Sequence, residues 1–70
     1  MSKRIGRYSV EARTTTRADG RFLATAHLVW DDADATNEQQ IHFFKAFDTA
    51  EAAEAHAFGQ VEARVRDGAL

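Results

Sequence analysis

Glu11, His27 and His42 are the residues of this chain whose types could gather around a metal ion. Two imidazoles and a carboxylate one strand spacing apart make a donor set for zinc or another divalent cation, with a position left open for water. That gathering needs Glu11 beside His27 across one hairpin and His42 brought in by a second. On the other face of its strand, His42 becomes a core histidine. Half-exposed histidines on a sheet are ordinary surface residues, so no metal site and no cofactor are assigned. His56 is expected on the outer face of a helix beside Ala52 and Gln60, in solvent. Nothing assembles a nucleophile: Ser2 and Ser9 have no positioned base, and no glycine-rich loop could cradle a phosphate. The Asp31-Asp32-Asp34 run lacks the glycine and the distal glutamate of a calcium loop. The chain is therefore expected to be non-enzymatic.

A second group is basic. Arg7 and Arg13 fall on the free face of the first strand, Arg17 and Arg21 at the end of the following hairpin, and Lys3 and Arg4 nearby. With stacking surface from Leu23 and a phenylalanine, such a group could follow a nucleic-acid backbone. The formal net charge of −2 opposes this, because phosphate binding needs a local excess of lysine and arginine. Charges on an edge strand also serve simply to block edge-to-edge pairing. The charge is uneven all the same, basic over residues 1–21 and acidic over residues 31–54.

The third group is apolar. A sheet covered by a single helix leaves one face open, and that face is expected to carry Leu23, Thr25, His27 and Val29 with Phe43 and Phe44 from the last strand. Several apolar side chains on one small face suit a protein partner or a second copy of the chain.

These side chains must be positioned by one small domain over residues 1–70, whose core rarely supplies more than roughly 3–5 kcal/mol of net stability. The chain has no cysteine, which removes disulfides, thiolate nucleophiles and thiol-based zinc sites. The polar start Met1-Ser2-Lys3-Arg4 lacks the apolar run of a signal peptide, and no stretch approaches the ~20 apolar residues that span a bilayer. A cytoplasmic protein without membrane partners is expected.

Alternation places a first strand at about 6–17, with Tyr8, Val10, Ala12 and Thr14 on one side and Arg7, Ser9, Glu11 and Arg13 on the other. Ala18-Asp19-Gly20 suits a three-residue hairpin loop whose glycine takes a left-handed conformation. That loop sets Thr16 against Phe22, Ala12 against Ala26, Val10 against Leu28 and Tyr8 against Trp30. A two-residue loop would place Arg13 and Glu11 opposite the apolar face. The second strand covers about 21–30, the acidic run Asp31–Glu38 reads as a mobile connection, and a third strand covers about 39–47. The faces of that third strand are ambiguous, and a bulge near Lys45-Ala46 would let Phe44 and Phe47 point the same way. At Asp48 or Thr49 a helix begins and runs to about residue 66, burying Ala50, Ala53, Ala57, Phe58, Val61 and Val65, with Gly68 as its stop. With Asp48 as the cap, Glu51 completes a capping box and Phe47 packs on Ala52; later, Glu62 can pair with Arg66. The expected fold class is α+β, a three-stranded antiparallel sheet with one C-terminal helix on one face.

The segment Phe47-Asp48-Thr49-Ala50-Glu51-Ala52-Ala53, following three strands, resembles the junction in the plant ethylene-response-factor type of DNA-binding domain. That family reads DNA with arginines and tryptophans on its free sheet face, whereas Trp30 here falls on the expected core face. As a whole, the chain resembles small uncharacterised proteobacterial proteins with a polar start, a hairpin and an alanine-rich terminal helix carrying a histidine. The expectation is an interaction module, protein-binding or self-associating as a homodimer through the open face. A nucleic-acid binder using Arg7, Arg13, Arg17 and Arg21 stands second.

Overall fold

A computed structural model describes residues 2–70; Met1 lies outside the described residues. The chain folds as a meander of four antiparallel strands, β1 (Ser2–Ile5), β2 (Tyr8–Thr16), β3 (Phe22–Asp32) and β4 (Ala35–His42), followed by one helix, α1 (Ala50–Arg66). The sheet thus has four strands where the alternation predicted three. The first expected strand begins only after a turn at Gly6-Arg7, and Ser2–Ile5 doubles back as an additional edge strand. Gly6 makes this possible: its φ of 59° is the left-handed conformation that a two-residue hairpin favours at its first loop position.

The second departure lies in the acidic run. Asp31 and Asp32 extend β3, residues 35–38 belong to β4, and the connection shrinks to Ala33-Asp34. Ala33 turns the chain at φ 53°, a conformation costly for a residue with a Cβ. By contrast the β2–β3 hairpin has the expected register, with Thr16 opposite Phe22, Glu11 opposite His27, and Gly20 at φ 83° closing the loop.

Between β4 and α1 the chain bulges, and the ladder allows a count. Phe43 donates its N–H to the Ala24 carbonyl at 3.0 Å, and Phe47 exchanges two backbone hydrogen bonds with Phe22 at 2.7 and 2.9 Å. From the first contact to the second, β3 moves by two residues and the opposing segment by four. The surplus is thrown outward between Phe43 and Phe47, which both face the core, and leaves Phe44 83% exposed. Arg21 holds the bulge, donating to the Ala46 carbonyl at 3.2 Å and meeting Asp48 at 3.3 Å.

The helix starts at Thr49 rather than Asp48, because the Thr49 hydroxyl accepts the Ala52 N–H at 3.1 Å. Glu51 is then one position short of a capping box but still lies in the first turn, where its charge suits the dipole. At the other end, Gly68 at φ 72° allows Gly68 N–H to reach the Val65 carbonyl and Ala69 N–H the Arg64 carbonyl, a Schellman closure. Ala53, Ala57, Phe58 and Val61 are buried against Val10, Ala12, Ala24, Ala26 and Leu28. The alanines on both sides let helix and sheet approach closely. Tyr8 and Trp30 extend this layer edge to face, with ring centroids 5.1 Å apart. Among the described residues no helix is long and apolar enough to cross a membrane.

Candidate functional site

The face without a helix is polar. Registers across the four strands set Ser2, Glu11, His27 and Gln40 in one row, Arg13, Thr25 and His42 in the next, and Arg4, Ser9, Val29 and Glu38 on the opposite side. These groups are largely occupied with one another. Glu11 accepts a hydrogen bond from Arg13, His27 Nε2 lies 3.2 Å from a Glu38 carboxylate oxygen, and Thr25 Oγ1 lies 3.2 Å from His42 Nδ1. The hydrogen bond and charge of Arg13 hold the Glu11 carboxyl below its usual range, and the charge of His27 adds to the effect.

The expected pair of Glu11 and His27 is present, but His42 does not complete it. His42 stands opposite Thr25, and Gln40 takes the place beside His27. Among the described residues no three or more His, Cys, Asp or Glu side chains form a group able to hold a metal ion. His56 is likewise displaced from its expected place in solvent. It is half-buried against the rings of Phe43 and Phe47, at centroid distances of 5.5 and 5.0 Å.

The four arginines of the nucleic-acid reading do not gather. Arg7 sits at one end of β2 and Arg17 just past the other, roughly 30 Å away at the rise of a strand. Arg13 binds Glu11, Arg17 meets Asp19 at 3.1 Å and Arg21 clamps the bulge. Arg7 packs over the Tyr8 ring.

The apolar group also disperses. Phe43 is only 8% exposed and belongs to the core, because the backbone bond to Ala24 keeps it on the covered side. Ile41 packs against that core as well. Leu23 and Val29 remain on the open face, half-buried and separated along β3 by Thr25 and His27. Phe44 is the large apolar side chain left in solvent among the described residues. Beside it lies a shallow recess of about 460 Å³, bordered by Ile41, Phe44, Arg64 and Leu70 and running along β4. A second hollow, about 480 Å³, lies between β1 and the acidic side of α1. Lys3 spans that one, pairing with Glu62 at 2.7 Å and lying 5.9 Å from the Phe58 ring centre.

The strand edge beside Phe44 is the feature that composition does not reveal. Since Phe43 bonds inward to Ala24, antiparallel alternation points the backbone N–H and C=O groups of Thr36, Glu38, Gln40 and His42 away from the sheet. Gly6-Arg7, flanked by Ile5 and Tyr8, is the sequence signal for the extra hairpin that makes β1 the other edge. Nothing in the polar run Thr36–Glu38 marked it as strand. In comparisons with known proteins, the chain matches no family model, no curated protein and no solved structure.

Proposed function

We propose that this protein is a non-enzymatic interaction module that meets a protein partner, or itself, through the side of the sheet that α1 does not cover and the adjoining β4 edge. The observation that carries this is the exposure of Phe44. A bulge that leaves a phenylalanine in water, beside a shallow recess and an open strand edge, places an anchor where a partner can reach it. The open face supplies polar complementarity around that anchor through Thr25, His27 and Glu38. Dispersed and carboxylate-bound arginines favour this over nucleic-acid binding.

The test is photo-crosslinking in cells from a reactive residue placed at Phe44 or Thr25, compared with the same residue at Ala55 on the outer side of α1. Products from the sheet positions and not from Ala55 support the module. Equal yields from all three, or none from any, overturn it.

A further inference from the structure

The two edges of the sheet are not equivalent. Edge strand β1 is four residues long and carries Lys3 and Arg4, the charges that discourage pairing. Edge strand β4 is eight residues long, contains no proline, lysine or arginine, and pairs with β3 without interruption from Ala35 to His42. Its outward backbone groups at Thr36, Glu38, Gln40 and His42 are thus a continuous template for another strand.

Geometry and charge narrow what can pair there. An antiparallel strand must set outward-pointing residues against outward-pointing residues, so a second copy has few registers available. Centring the two-fold axis on Glu38 opposes two glutamates, centring it on His42 opposes two histidines, and centring it on Gln39 or Ile41 sets Glu38 against Gln40 or Phe44, with no partner for its charge. Centring it on Gln40 sets each Glu38 against His42 of the other copy, twice by symmetry, and lays the two Gln40 amides side by side. One step further, the same count brings Phe44 to Thr36 of the other copy. The edge is complementary to itself in that register.

We infer that two copies of this chain pair antiparallel through β4, with Gln40 at the two-fold axis, to make one continuous eight-stranded sheet. The inference rests on the interaction-module reading and names its partner. Both helices then lie on the same side of the joined sheet, because opposed residues in an antiparallel pair share a face.

Sedimentation of the 70-residue chain across a wide concentration range tests it. The expected result is a reversible dimer that Gln40→Pro weakens about tenfold or more, since proline removes an N–H aimed at the partner and not at β3. Circular dichroism of the monomer checks that this variant folds. The register has its own test, independent of that variant. Glu38→Lys alone should weaken the dimer, and adding His42→Glu should restore it by exchanging the positions of the carboxylate and its nitrogen partner. Failure of the double variant to recover overturns the register. A protein that stays monomeric at every concentration, yet crosslinks to other proteins from Phe44 and Thr25, overturns self-pairing and leaves the module intact. A dimer indifferent to Gln40→Pro overturns the β4 edge as its seat.

Discussion

The two faces of the sheet are built from the same strands by opposite means. On the covered face, Val10, Ala12, Ala24, Ala26 and Leu28 are at most 4% exposed and meet the alanines of α1 with no polar group among them. On the open face, Glu11 with Arg13, Thr25 with His42 and His27 with Glu38 form three solvent-exposed pairs. Burial of apolar area is worth about 25 cal/mol per Å², whereas exposed ion pairs typically contribute about 0–1 kcal/mol. Stability is therefore concentrated on one face, and the other is free to vary in chemistry without loss of the fold.

Substitutions can break that contrast or sharpen it. The largest loss is expected from Leu28→Ala, at the fully buried centre, with a cost of about 2–5 kcal/mol in chemical denaturation. In a domain this small such a loss should leave much of the population unfolded. A cost below about 1 kcal/mol would mean that the helix does not seal this face. Next comes Ala26→Leu, expected to cost about 1–3 kcal/mol because its added methyl groups would meet a helix already in close approach. Gly6→Ala should lose about 1–2 kcal/mol through its left-handed backbone, with the new Cβ 3.2 Å from a Val65 methyl. Ala33→Gly should run the other way, raising the denaturation midpoint by relieving a strained turn. His27→Ala, on the open face, should change stability by no more than about 0.5 kcal/mol.

The smallest effect concerns protons. Arg13→Ala should raise the titration midpoint of the Glu11 carboxyl, followed by NMR, toward its ordinary value. The folded value lies below the unfolded one, so ionised Glu11 favours the fold at neutral pH. That contribution disappears as acid carries the pH down through the folded value. An unchanged midpoint would show that Arg13 does not govern the carboxyl.

Where sequence and structure agree, the cause is local. Ala18-Asp19-Gly20 specified both loop length and register, because only one register keeps Val10 and Ala12 opposite apolar residues. The helix was equally legible from its alanine spacing and its glycine stop, to within one residue at Thr49. Disagreement follows the opposite pattern. Thr36–Glu38 is poor in strand formers and is strand only because β3 is long enough to supply partners for it. Phe43 and Phe44 stand next to each other and differ by the whole range from core to solvent, through a bulge whose anchor, Phe47 on Phe22, lies 25 residues apart in sequence. Of the candidate site, Thr25, His27 and Val29 were correctly placed on the open face by alternation alone, whereas His42 missed its row by one pair.

The sequence by itself determined the α+β class, the β2–β3 register, the helix and the choice of the face it covers, since each follows from periodicity and turn chemistry acting over a few residues. Only the tertiary structure decided the number of strands, the inward turn of Phe43, the exposure of Phe44 and the open β4 edge. Those depend on which backbone hydrogen bonds find partners across the sheet, and a polar segment joins a ladder whenever a neighbouring strand offers one, whatever its own preference.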